Sequence, residues 1–156
     1  MKENEIKEKI YSTFANIANS LGYSEIHGRI IACVLINEGP VALTDIAKET
    51  GYSSSMVSLS TDFLETVGMV KRIKKPGDRK LYLQSNGSLL DGLKRAILVR
   101  IDKSVSNSLQ EFDAYKKELK KLKESESEKL LKAIEKLEGE INKMDGYVKV
   151  LSKVKL

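Results

Sequence analysis

Apolar residues recur along this chain with two distinct periods, and the change of period locates its elements. From Glu3 to about Leu21, Ile6, Ile10, Phe14, Ile17 and Leu21 follow at steps of three and four, one stripe of an amphipathic helix that Gly22 can cap. Ser24 offers an N-cap for EIHGRIIACVLINEG, whose run Ile30, Ile31, Cys33, Val34, Leu35, Ile36 is apolar nearly all round. Such a helix belongs in the centre of a core. Gly39-Pro40 breaks the chain, and Thr44 opens the short helix TDIAKETG, with Gly51 just past its end. Ser53 is the next N-cap, of a helix running to about Val67 and stopped by Gly68. Val57, Ser60, Thr61, Leu64 and Val67 face inward; Ser54, Ser55, Ser58 and Asp62 face outward.

After Gly68 the period becomes two. Met69 to Lys74 and Arg79 to Leu83 read as two short strands around the turn KPGD, a hairpin. From Ser88 the helical period returns for one long helix, with a kink expected near Ser104 to Ser108 where hydroxyl residues crowd. The apolar-free segment KESESEK, Lys123 to Lys129, is the expected break before a last helix. There Leu130, Ile134, Leu137, Ile141, Met144, Val148 and Leu151 keep spacings of four and three, an a/d seam suited to pairing with another helix. The pattern leaves open whether that helix belongs to the same chain. The fold expected is mainly α with a small β-hairpin.

Composition narrows the function. The 156 residues carry 27 basic and 22 acidic side chains, and the excess is local: Lys71, Arg72, Lys74, Lys75, Arg79 and Lys80 are opposed in that stretch only by Asp78. One cysteine excludes an intrachain disulfide, one histidine excludes a histidine metal cluster, and Cys33 has no adjacent base in its apolar helix, so no metal, cofactor or catalytic site is expected. Cys33, in the most apolar helix, reads as a buried inert thiol, and His27 as a surface residue at a helix start. No apolar run reaches the ~20 residues of a membrane span, and the start MKENEIKEKI lacks the apolar core of a signal peptide. A soluble, cytoplasmic protein without membrane association is expected.

Helix, three-residue turn GYS, helix and basic hairpin, in that order, are the parts of a winged helix-turn-helix. Ala47 is the small residue where the two helices meet, Gly51 supplies a positive φ at the turn, and Val57 anchors the second helix, with Ile46 beside them. On the pieces GRIIACVLI, LTDIAKETGYSSSMVSLSTDFLETVGMVKRI and KPGDRKLYL, the run Gly28 to Leu83 resembles the GbsR branch of the MarR-type transcriptional regulators. The resemblance implies a winged helix-turn-helix with long N- and C-terminal dimerisation helices. It also implies a homodimer on double-stranded DNA with half-sites ~34 Å apart, and regulation of transcription, usually repression. On this reading residues 1–22 form an N-terminal dimerisation helix, 23–86 the DNA-binding domain and 87–156 the C-terminal dimerisation region.

The expected DNA-binding residues follow from their chemistry. Thr44 opens the first helix of the motif. Ser53, Ser54 and Ser55 place hydroxyls at a helix N-terminus, where free N–H groups favour phosphate. Ser58 and Asp62 lie within reach of base edges, and Met56 or Leu59 offers an apolar surface to a thymine methyl. Without Arg, Asn or Gln on this helix, affinity must come largely from the wing, where Lys71, Arg72, Lys74, Lys75 and Lys80 neutralise phosphates. Arg79, steadied by Asp78, is expected at the minor groove. Against this stands a plain reading of each part: serine runs cap or link, lysine hairpins protect sheet edges, and a winged helix can serve as a protein-interaction module. Tyr11, Phe14, Tyr23, Phe112 and Tyr115 are expected as core, with an effector pocket as the competing role; no small-molecule effector is identified by the residues.

Overall fold

The computed structural model describes residues 2–122 and 125–156, which divide into two compact units, Met1–Arg95 and Ala96–Leu156. The first unit holds α1 (Lys2–Ser20), α2 (Glu25–Ile36), β1 (Val41–Ala42), α3 (Leu43–Thr50), α4 (Ser54–Thr66), β2 (Val70–Lys74), β3 (Leu81–Ser85) and the start of α5 (Leu89–Leu122). The second holds the rest of α5 and α6 (Ser125–Ser152).

The core of the first unit forms around α2, as its all-round apolar sequence requires. Ile30, Cys33, Ile46, Val57, Leu64, Val70 and Leu83 are buried together. α1 crosses α2 so closely that a Cβ on Gly28 would lie 2.1 Å from the carbonyl oxygen of Phe14. The face α1 turns inward is Tyr11 and Ala15, not the isoleucine stripe: Ile6, Ile10 and Ile17 are exposed. Periodicity gives a helix its apolar stripe but not its occupant, and here the polar Tyr11 is the side chain that α2 and α3 bury.

Three local expectations change. β1, hidden behind Gly39-Pro40, pairs antiparallel with β3 (Val41 opposite Leu83), making a three-stranded sheet in the order β1-β3-β2. Helix α3 begins at Leu43 with Ala42 as its N-cap, so Thr44 lies exposed inside the first turn. His27 is half-buried, its ring 4.9 Å from Phe63 and 6.1 Å from Tyr23, and burial pulls its pKa below the ordinary value. Cys33 is fully buried and burial raises its thiol pKa to about 11.

In the second unit α5 runs unbroken through Ser104 to Ser108, where the Ser108 hydroxyl bonds the Ser104 carbonyl oxygen at 2.9 Å. Of the expected break, 123 and 124 lie outside the described residues, and from Ser125 the chain is already helical. The ion pair of Lys116 with Glu138, at 2.7 Å, bridges α5 and α6 as antiparallel neighbours. The seam of α6 is therefore half closed within the chain: Val148 is buried and Ile134 and Ile141 half-buried, whereas Leu130, Leu137, Met144 and Leu151 stay exposed. Of the aromatics expected as core, Tyr11 is buried and Phe14 and Tyr23 half-buried in the first unit; in the second Phe112 is half-buried, but Tyr115, its ring centroid 6.4 Å away, is exposed.

Candidate nucleic-acid interface

The turn between α3 and α4 is built as its sequence demands. Gly51 takes φ +76°, a left-handed conformation that closes α3, and a Cβ there would be strained. Two residues later Ser53 caps α4, its hydroxyl oxygen accepting from the Met56 N–H at 3.2 Å. Val57, Ser60, Thr61 and Leu64 fix α4 to the core, the Thr61 hydroxyl satisfying itself on the Val57 carbonyl at 2.7 Å. The opposite face is thereby set: Ser54, Ser55, Ser58, Leu59 and Asp62 are all exposed, Leu59 at 73%. Met56, at 48%, is exposed as well, and two apolar side chains this open to solvent have no role in the core of the unit.

The far end of α4 is held from α5. Arg95 donates to the carbonyl oxygens of Val67 (2.5 Å) and Gly68 (3.1 Å), the groups a helix C-terminus leaves unpaired. Gly92 on the same helix meets Met69 so closely that a Cβ would lie 2.4 Å from the Met69 side chain. The LKRA segment gave no sign in the sequence that it would position α4.

The wing is a short, rigid hairpin. Lys75, Pro76, Gly77 and Asp78 make a turn closed by the Asp78 N–H on the Lys75 carbonyl at 3.1 Å, with Gly77 at φ +74°, the arrangement of a type II turn. Asp78 does not steady Arg79. Its two carboxylate oxygens accept from the Lys80 N–H (2.9 Å) and the Tyr82 hydroxyl (2.6 Å), and these bonds hold its carboxyl below the usual carboxylate range. Lys75 Nζ lies 4.0 Å from the centroid of the Tyr82 ring. Short acceptors serve the turn before they serve a neighbouring guanidinium, which is why Arg79 is left exposed.

The six basic side chains of the wing are not equivalent. Lys71, Lys74, Lys75, Arg79 and Lys80 are exposed, but Arg72 turns back onto α4. Its guanidinium donates to Glu65 Oε2 (2.6 Å), Asp62 Oδ1 (2.5 Å) and the Ser58 carbonyl (3.1 Å), and its backbone N–H donates to Glu65 Oε1 (3.2 Å). Burial alone would lower the Arg72 pKa; the hydrogen bonds to Asp62 and Glu65 outweigh it and hold the group above its ordinary value. Strand alternation places Val70, Arg72 and Lys74 on one face of β2 and Lys71 and Ile73 on the other. Among the described residues no group of three metal-ligating side chains comes together, and no described helix is long and apolar enough to cross a membrane.

No family model matches the chain, and no curated protein matches its sequence. Solved structures do. The crystal structure of a transcriptional regulator aligns with a TM-score of 0.62 over 94% of this chain and 95% of its own, at 15% identity. Two looser matches are a MepR mutant of S. aureus bound to an oligodeoxyribonucleotide and NadR in complex with 4-hydroxyphenylacetate. The first has a TM-score of 0.45 and 16% identity over 92% of this chain and 93% of that one. The second has a TM-score of 0.44 and 18% identity over 97% and 89%. The chain thus shares the fold of a transcriptional regulator, a winged helix-turn-helix with long terminal helices.

Proposed function

We propose that this chain is an intracellular, homodimeric, sequence-specific DNA-binding transcriptional regulator of the MarR type, in its GbsR branch, and that it represses. The observation that carries the reading is the pairing of two exposed surfaces on one rigid frame. One is the outward face of α4, where Ser54, Ser55, Ser58, Leu59 and Asp62 make no core contact; the other is the wing, with five exposed cations fixed at its turn and strands. A helix N-terminus with serine hydroxyls suits phosphate, and short side chains along the next two turns allow the helix to lie deep in a major groove. On this reading Thr44 and Ser53 approach the backbone, Lys71, Lys74, Lys75 and Lys80 neutralise phosphates, and Arg79 enters the minor groove.

A second copy of the chain is the natural cover for the apolar residues the fold leaves outside. Ile6, Ile10 and Ile17 on α1, and Leu130, Leu137, Met144 and Leu151 on α6, are exposed in rows at helical spacing. An effector has less support. A small cleft beside α2, lined by Ile31, Val34, Leu35, Met69, Val70 and Leu89, offers no charged side chain to fix a ligand.

The test is mobility shift on genomic fragments that include the DNA upstream of the chain's own gene, with nonspecific competitor present. A competitor-resistant complex is expected, its affinity falling by ~0.9 log unit per phosphate contact for each tenfold rise in salt. A protein that forms no such complex, or binds duplex equally at low and moderate salt, would instead be a winged-helix interaction module. Sedimentation of the free protein is expected to give twice the chain mass.

A further inference from the structure

We propose that Arg72 is a positioning residue that neutralises the acidic side of α4, and not one of the phosphate contacts; this rests on the DNA-binding reading above. The helix α4 carries two charged side chains, Asp62 and Glu65, and both are acidic. A helix that must approach two rows of phosphates with two bare carboxylates would be repelled from the groove it is shaped to enter. Arg72 answers both at once. One nitrogen of its fork takes Asp62, another takes Glu65, and the Ser58 carbonyl oxygen accepts a further hydrogen bond. With its side chain 22% exposed and both terminal nitrogens bonded to α4, the guanidinium is committed to the helix.

The geometry also joins two reading elements. Ser58 and Asp62 stand one and two turns into the exposed face of α4, and Arg72 lies at the middle of β2, so the four hydrogen bonds lock the wing strand to the helix. The planar fork matters: a lysine at this place supplies the charge but cannot meet two carboxylates and a carbonyl together. Glu65 is bound twice, by the backbone N–H and by the guanidinium, which fixes the side chain on which the clamp turns.

The experiment is a rescue on a mixed-sequence duplex, where base reading plays no part. Arg72→Ala is expected to weaken binding on the order of tenfold by leaving the charge of both carboxylates uncompensated. Asp62→Asn and Glu65→Gln added to it are expected to return affinity to the wild-type level or above, with the salt slope of the wild type kept in all three proteins. If Arg72→Ala lowers the slope by ~0.9 and the added substitutions do not rescue, Arg72 is a phosphate contact and the proposal is overturned. An unchanged slope without rescue overturns it too, leaving a merely structural role. Should Arg72→Ala lose its cooperative melting transition, Arg72→Gln, which keeps part of the stem and an uncharged amide donor, replaces it with the same readings. Wild-type protein that binds no duplex removes the functional reading and this inference together, whereas wild-type binding without rescue removes only the inference.

Discussion

The hydroxyl of Tyr11 donates to Glu49 Oε2 at 2.7 Å, joining α1 to the last turn of α3 across the fully buried Cys33. Lys7 completes the group from the preceding turn of α1, its ammonium 2.7 Å from the same carboxylate oxygen. The first helix is thereby tied by a polar contact to the helix that leads into the recognition turn, two residues before Gly51.

Tyr11→Phe keeps the ring and removes the donor. Its expected cost is about 1–2 kcal/mol, because a charged acceptor loses one of two strong partners while Lys7 remains. Thermal unfolding should shift down by several degrees, and a melting temperature equal to the wild type would show that Lys7 alone satisfies the carboxylate.

The same group predicts an acid limb of stability. Burial would raise the Glu49 pKa, but the hydrogen bonds from Lys7 and Tyr11 outweigh it and hold the carboxyl below its ordinary value. A depressed folded-state pKa means stability that is present above the unfolded value of about 4.3 and lost as pH falls through the folded value. Denaturant titrations between neutral and acidic pH should show this loss, and Glu49→Gln should flatten it while lowering stability at neutral pH.

Two glycines in helices are predicted to respond in opposite directions. A Cβ at Gly28 would meet the Phe14 carbonyl at 2.1 Å, so Gly28→Ala must part α1 from α2 and is expected to cost about 2–4 kcal/mol. At Gly139 a Cβ would meet nothing within 4 Å, and Gly139→Ala is expected to stabilise by up to ~1 kcal/mol. Equilibrium unfolding of both variants checks the pair.

Tyr82→Phe separates wing rigidity from wing charge. It removes the hydroxyl that holds Asp78 and leaves every cation in place. Weaker binding of duplex DNA, by about threefold to tenfold, is expected with an unchanged salt slope, because the number of phosphate contacts is the same. A shallower slope would mean that Tyr82 places a cation on a phosphate directly.

Much of the fold was legible in local pattern. Gly51 closes α3, Ser53 caps α4 and Gly68 ends it, and the inward set Val57, Ser60, Thr61, Leu64 and Val67 is buried as its spacing requires. Each of these depends on residues within one or two turns, where backbone sterics and apolar period act without reference to the rest of the chain. The exposed face of α4 was readable for the same reason: fixing the buried residues of a helix fixes the exposed ones.

What the tertiary structure alone decided lies between elements. β1 exists because β3 offers it an edge, and no two-residue strand has a pattern of its own. Tyr11 is expected in the core from its residue type, but the acceptor that satisfies its hydroxyl there, Glu49, is supplied only by the packing of α1 against α3. Arg72 reads in the sequence as one of several phosphate-neutralising cations of the wing, and only the meeting of β2 with α4 turns it from the solvent to Asp62 and Glu65. A side chain's charge is written in the sequence, but its partner is set by which distant segments the fold brings within hydrogen-bonding distance.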